Sequence, residues 1–147
     1  QPTHARLESY KKMGVNSIIN LRGEDKYAHY LFEQESCEAL GLQLCNARLF
    51  ATSAAPRERI LAVIDTMRTA EKPFILHCKS GADRAGFAAA MYLMVFEDVP
   101  VAEAKKQLSW RYAHLSSTRT AGFSLPPFAA AMLDSKQLGD MPPLTHV

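Results

Sequence analysis

Short apolar runs alternate with longer amphipathic stretches along most of the chain. Three runs rich in β-branched or large apolar residues predict short strands, at 15–21, 42–46 and 74–77, and the last of these is expected to be buried. Apolar residues at helical spacing predict five helices, at 3–13, 27–40, 56–70, 85–96 and 101–112. Strands that alternate with helices in this way predict an α/β domain with a central, mostly parallel sheet flanked by helices.

Local start and stop signals support these boundaries. Thr3 is a candidate N-cap for the first helix, and Gly14 follows its end. Pro56 suits the first turn of the third helix. The C-terminal region is less regular and predicts only a last short helix within 123–133. Because no repeat, low-complexity segment or linker divides the chain, we expect residues 1–147 to form a single domain.

Composition and charge narrow the functional classes. The chain has 147 residues, of which 48% are hydrophobic and 22% charged, and its net charge is +2. This charge is too small to indicate a nucleic acid or a membrane surface as partner, and no basic run with interleaved aromatic residues occurs. No apolar stretch reaches the roughly 18 residues that a membrane helix needs.

The cysteines indicate a reducing compartment. Cys37, Cys45 and Cys78 are odd in number and include no CxxC pair, which argues against a disulfide framework or a zinc site. We therefore expect a cytoplasmic protein. A signal or anchor segment before Gln1 is left open by the sequence.

The segment HCKSGADRAG, at 77–86, carries the candidate chemistry. Cys78 stands where a predicted strand gives way to a loop and then to a helix. Inward-facing loop amides and the positive end of the following helix would stabilise a thiolate and would also bind a tetrahedral oxyanion. Arg84 adds a planar fork that can grip two phosphate oxygens. The predicted substrate-binding residues are Lys79, Ser80, Gly81, Ala82 and Arg84.

This loop resembles the signature loop of the cysteine-dependent phosphatases. Five residues separate Cys78 from Arg84, and His77 precedes the cysteine. The stretch QPTHARLESYKKMGVNSIINLRGE, with its Leu21–Arg22 step, is similar to the opening helix and strand of the small dual-specificity phosphatases found in bacteria. With the AEAKKQL helix, the likeness covers about four fifths of the chain. It implies a cysteine-phosphatase-like domain.

The resemblance also implies a reaction. Cys78 would attack the phosphorus of a phosphate monoester and form a phosphocysteine, which water would hydrolyse, while Arg84 would bind the phosphoryl oxygens. His77 would support the thiolate through hydrogen bonds without touching the substrate. The resemblance implies no metal and no cofactor, because the loop itself supplies the positive charge. The implied partner is a phosphorylated protein or a phospholipid head group, and the oligomeric state is left open.

Two positions depart from the family pattern. Relatives usually carry a general acid aspartate roughly thirty residues before the cysteine, but the corresponding stretch CNARLFATSAAP holds no carboxylate, and Glu38 and Glu58 fall on predicted helices. Asp83 is the candidate acid, because a carboxylate directly before the arginine also occurs in myotubularin-like and Sac-type phosphatases. The alternative is that Asp83 only braces the loop by bonding neighbouring amides. Ala85 stands where many relatives have Ser or Thr, so breakdown of the intermediate would be slow.

Other interpretations stay open at this point. Arg22 and Arg48 follow predicted strands and are candidates for the same rim, although ordinary loop roles are favoured. A protective disulfide between Cys45 and Cys78, as in some phosphatases, is less favoured than two separate thiols. A phosphate-binding module without turnover and a rhodanese-like sulphurtransferase are the rival functions. The rhodanese loop is usually one residue shorter, which disfavours it.

Overall fold

A computed structural model describes residues 1–50, 55–79 and 83–108 of the chain. The elements, in chain order, are α1 (His4–Lys12), β1 (Ser17–Asn20), α2 (Ala28–Leu40), β2 (Gln43–Asn46), α3 (Arg57–Thr69), β3 (Phe74–His77), α4 (Asp83–Phe96), α5 (Val101–Ala104) and a 3₁₀ turn (Lys105–Leu108). The predicted last helix within 123–133 lies outside the described residues, as does the end of the helix predicted at 101–112.

The three strands form one parallel sheet in the order β2-β1-β3. β1 is central, and all four of its residues are buried. Successive side chains of a strand point to opposite faces, so Ile18 and Ile19 belong to two different apolar clusters. Ile18 packs with Leu7 of α1 and Cys37 of α2, whereas Ile19 packs with residues of α3 and α4. Helices therefore cover both faces of the sheet, and the predicted α/β class is confirmed.

Local sequence signals are found at three of the helix ends. The hydroxyl of Thr3 accepts a hydrogen bond from the backbone N–H of Arg6 at 3.4 Å and caps α1. Gly41, in the left-handed conformation with φ of 63°, ends α2. Pro56 occupies the N-cap position of α3 rather than its first turn. The fixed φ of proline is compatible with either place, because neither needs its missing N–H.

Three predictions differ from the structure in detail. Helix α4 begins at Asp83, two residues before the predicted start, so Asp83 belongs to the helix rather than to the loop. The predicted continuous helix from residue 101 is a single α-turn followed by the 3₁₀ turn, a change of geometry that is common at helix ends. Strand β3 was predicted to be buried, but Phe74, Ile75 and Leu76 are only half-buried.

Candidate active site

The carboxyl ends of all three strands meet at one edge of the sheet. The parallel register aligns Asn20 at the end of β1 with Asn46 of β2 and with His77 of β3. The backbone N–H of Leu21 donates to the carbonyl of His77 at 2.9 Å, so β1 and β3 stay paired up to the residue before Cys78. Ligands of open parallel sheets bind at this edge, and the predicted nucleophile therefore lies where the fold offers a site.

Cys78 is buried, with 2% of its surface exposed, and directly follows β3. Lys79, the next residue, is exposed. Ser80, Gly81 and Ala82, predicted to bind substrate, lie outside the described residues. Asp83 begins α4, and Arg84 in its first turn is half-buried. The strand, the thiol and the amino-terminal turn with its arginine thus follow one another in the predicted order.

His77 connects the backbone of Cys78 to helix α2. Its Nδ1 lies 3.1 Å from the carbonyl oxygen of Cys78. Its Nε2 lies 2.5 Å from Oε1 of Glu33, and the Glu33 side chain is 1% exposed. Among the described residues, neither Nε2 nor Oε1 has another hydrogen-bond partner. The predicted supporting role of His77 thus involves a buried carboxylate that the sequence analysis did not single out.

A signal for Glu33 was present in the sequence. The buried positions of α2 are Tyr30, Glu33 and Cys37, which share one helical face. A charged residue on an otherwise apolar stripe is rarely left unpaired, because burial of a lone carboxylate costs several kcal/mol or more. The pattern alone could therefore have marked Glu33 as a residue with a buried partner, although it could not have named His77.

Gln1 ties the same group of residues together. Its side-chain Nε2 donates to Oε2 of Glu33 and to the carbonyl of His29, both at 2.8 Å, and its Oε1 accepts from the guanidinium of Arg22. Its main-chain nitrogen donates to the carbonyl of Lys79 at 2.8 Å. One glutamine therefore links α2, the loop after β1 and the first residue after Cys78. Nothing in the sequence pattern indicated these contacts.

The loop between β1 and α2 is held by a second polar network. Buried Asn20 donates from Nδ2 to the carbonyl of Gly23 at 3.1 Å, and its Oδ1 accepts from the N–H of Arg22 at 2.9 Å. Arg48 donates to the carbonyls of Arg22 and Glu24 at 3.0 and 2.8 Å. The guanidinium of Arg48 thus serves the loop backbone, in agreement with the favoured loop role.

The other two cysteines lie in different environments from Cys78. Burial, with a smaller contribution from the Glu33 carboxylate, raises the pKa of Cys37 to about 12. Burial and then the charge of Glu71 raise the pKa of Cys45. Cys45 lies on β2 and Cys78 follows β3, with β1 between them. Because strands are about 4.8 Å apart, their Cα atoms are farther apart than the roughly 7 Å limit of a disulfide, so the protective disulfide considered from the sequence does not fit this fold.

The alternative carboxylates are not placed alike. Glu38 is exposed in the last turn of α2, a helix that starts at the carboxyl edge of the sheet, so Glu38 lies at the end away from the site. Glu58 is exposed in the first turn of α3, at the site end.

In the part of the chain that the structure describes, no group of three or more His, Cys, Asp or Glu residues could hold a metal ion. Within the described ranges, no helix combines the length and the apolar character that a membrane span requires.

Comparison with solved structures defines the class of protein. TpbA of P. aeruginosa, in a Cys-to-Ser form in complex with phosphotyrosine, is 17% identical with a TM-score of 0.69 over 92% of this chain and 82% of that one. The core catalytic domain of the PP-IP phosphatase SIW14 of S. cerevisiae, in complex with citrate, is 12% identical with a TM-score of 0.64, covering 94% and 86%. A putative phosphatase of Neisseria meningitidis is 21% identical with a TM-score of 0.57, covering 92% and 88%. The chain therefore has the fold of the cysteine-dependent phosphatases.

The family assignment rests on the sequence itself. Residues 1–123 match the family model PTP-SAK, described as "Swiss Army Knife protein, DSP-PTPase phosphatase domain". The chain belongs to this family of dual-specificity and tyrosine phosphatase domains, as the loop resemblance predicted. A comparison with curated protein sequences found no match.

Proposed function

We propose that this protein hydrolyses phosphate monoesters with Cys78 as nucleophile and Arg84 as the phosphate-binding residue. The observation that carries the proposal is the placement of a buried cysteine between the end of a parallel strand and the first turn of a helix that presents an arginine. The backbone amides and the positive end of such a helix favour both a thiolate and a phosphate dianion. The family assignment supports the same reaction class.

The proposed reaction has two displacement steps at phosphorus. The thiolate of Cys78 forms a bond to phosphorus while the ester oxygen leaves and takes a proton from an acid. Water then attacks the phosphocysteine and returns a proton to the ionised acid, the S–P bond breaks, and the thiolate is restored as inorganic phosphate forms. Arg84 holds two phosphoryl oxygens through both steps. Ala85 is buried and carries no hydroxyl, so it cannot assist the departure of the thiolate in the second step, which we expect to be the slower one.

Asp83 is our proposed source of the proton for the leaving oxygen. It begins α4 directly before Arg84, and neither Glu38 nor Glu58 is buried as a shielded acid would be. We expect Asp83→Asn to lower kcat about 100-fold or more on an alkyl phosphate and far less on an activated aryl phosphate, whose leaving group needs no proton. Steady-state rates on both substrates measure this, with Glu38→Gln as control. Equal losses on the two substrates would remove Asp83 from the acid role.

For the substrate, we propose several classes of phosphate-bearing molecule rather than a single one. The phosphotyrosine bound to TpbA supports an aryl phosphate, and the name of SIW14 as a PP-IP phosphatase supports a soluble inositol phosphate as a second possibility. Lys79, which is exposed, and the presence of a carboxylate residue directly before Arg84 in the sequence favour a wide, polar rim of the phosphoinositide type. A panel of phosphotyrosine and phosphoserine peptides, phosphoinositides and inositol phosphates, assayed with wild type and Cys78→Ser, ranks these classes.

The same experiment tests the reaction itself. Wild type is expected to release phosphate from an aryl phosphate, and Cys78→Ser is expected to release none while still binding vanadate or phosphate. Binding by wild type without release in a single turnover would favour the phosphate-binding module. Thiocyanate formation from thiosulfate and cyanide would favour the sulphurtransferase.

A further inference from the structure

A buried carboxylate beside the candidate nucleophile is the feature that the proposed reaction does not use. Glu33 belongs to the middle of α2 and is 2% exposed, whereas Glu35 and Glu38 on the same helix are exposed. Burial of a carboxylate costs several kcal/mol unless partners compensate for the lost water. Glu33 has such partners, because Oε1 faces His77 and Oε2 accepts from Gln1.

The hydrogen bonds of His77 restrict where its protons are. The carbonyl oxygen of Cys78 can only accept, so Nδ1 at 3.1 Å must carry a proton. Nε2, at 2.5 Å from Oε1 of Glu33, then also needs a proton between itself and that oxygen, since two bare acceptors would repel each other. An ionised Glu33 therefore favours a His77 ring that carries protons on both nitrogens.

We propose that Glu33 is a positioning residue that holds His77 as an imidazolium, so that its Nδ1–H and its positive charge act on the Cys78 backbone and favour the thiolate. The inference rests on the proposed function in one respect, since it treats Cys78 as the nucleophile. The carboxylate acts through His77 and touches no substrate. His77 lies between the negative charge of Glu33 and Cys78. Cys37, four residues after Glu33 on the same helix, has no such group in between, and the charge of Glu33 contributes to the raised pKa of Cys37.

Other titratable groups are connected to the pair through Glu33 and Gln1. Among the described residues, Cys37 of α2 responds to the charge of Glu33, and Gln1 joins Glu33 to the guanidinium of Arg22 and, through its main-chain nitrogen, to the carbonyl of Lys79. Arg84 follows in the first turn of α4. Cys37 stays protonated near neutral pH, because burial and the Glu33 carboxylate raise its pKa to about 12. Cys37 therefore contributes no change of charge beside the pair near neutral pH.

The test compares Glu33→Gln with Glu35→Gln, a control on the exposed side of α2. Glutamine preserves the shape and can donate to a neutral His77 ring, but it removes the charge that holds the second proton. Thiolate absorbance, taken as the difference between each protein and its Cys78→Ser counterpart, is followed against pH. For Glu33→Gln we expect the midpoint to rise by about one pH unit, which is about ten-fold less thiolate below that midpoint, while Glu35→Gln behaves as wild type.

Enzyme kinetics provide a second measurement that a merely structural role would not reproduce. For Glu33→Gln, kcat/KM on an aryl phosphate should fall about ten-fold on the acidic side of the profile and recover at higher pH, where the thiol ionises in both proteins. An unchanged thiolate midpoint, or a loss of the same factor at every pH, would overturn the inference.

Two further outcomes keep the inference separate from the proposed function. If Glu33→Gln does not fold, the ¹⁵N resonances of His77 in wild type decide instead: protons on both ring nitrogens near neutral pH are expected, and a ring with one bare nitrogen refutes the role of Glu33. If Cys78→Ser hydrolyses aryl phosphates as well as wild type does, the proposed function is wrong, whereas thiolate absorbance still reports on Glu33.

Discussion

Replacement of Gly23 by alanine tests how tightly the loop between β1 and α2 is built. Gly23 has a φ of +77°, a region that costs other L-residues roughly 1–2 kcal/mol. A Cβ at this position would meet Cβ of Arg48 at 2.7 Å and Nε at 2.8 Å. Cβ is fixed to the main chain and cannot swing away as the end of a side chain can. The backbone at residue 23 or at Arg48 must therefore move.

The magnitude follows from three contributions. Backbone strain adds about 1–2 kcal/mol, and relief of the overlap adds about 1 kcal/mol at the low end of overpacking costs. Displacement of Arg48 also weakens its hydrogen bonds to the carbonyls of Arg22 and Glu24. Because Arg48 is exposed and water can replace it, these bonds add only about 1 kcal/mol together. We expect Gly23→Ala to lower the free energy of unfolding by about 3 kcal/mol.

Gly14 provides a matched control. Its φ is +91°, and an added Cβ would have no atom within 4 Å. Gly14→Ala should therefore show the backbone contribution alone, about 1–2 kcal/mol. Urea unfolding followed by far-ultraviolet circular dichroism gives both values. The reasoning is refuted if the two variants lose the same stability within about 0.5 kcal/mol, since no steric contribution from Arg48 would then remain.

Two further predictions concern buried groups. Folding raises the pKa of the Cys37 thiol from 9.0 to about 12, so the thiol of the unfolded chain ionises first as pH rises. The free energy of unfolding therefore falls between pH 9.0 and about pH 12, and urea unfolding should show a loss of about 1.4 kcal/mol by about pH 10. Cys37→Ala should lack this part of the alkaline loss, and an identical pH dependence in the two proteins would contradict the assignment. Tyr30→Phe removes the oxygen that accepts from Asn46 at 2.8 Å and should cost about 1 kcal/mol in the same assay; because Asn46 is exposed and can turn to water, a loss above roughly 3 kcal/mol would indicate a larger network.

The sequence was most informative where one local rule decides the outcome. Apolar runs and helical spacing predicted the three strands and the helices α1 to α4 within a few residues, because period and capping are local properties. The spacing from Cys78 to Arg84 after a strand predicted the family, which the match over residues 1–123 confirms. The catalytic roles of Cys78, Arg84 and Asp83 stay predictions.

Tertiary structure decided which distant residues meet at the loop. Glu33 and His77 lie 32 and 76 positions after Gln1 in the sequence. In the fold, the three residues nevertheless form one continuous series of contacts beside Cys78. No periodic pattern encodes such a meeting, because it depends on which helix covers which face of the sheet. The sequence by itself determined the elements and the chemistry of one loop, since both follow from neighbours along the chain. Only the packing of α2 near the carboxyl edge of the sheet decided that the buried carboxylate of Glu33 lies beside His77. The physical reason is that a carboxylate can be buried only where hydrogen-bonding partners compensate for the lost water, and here those partners, His77 and Gln1, come from distant parts of the chain.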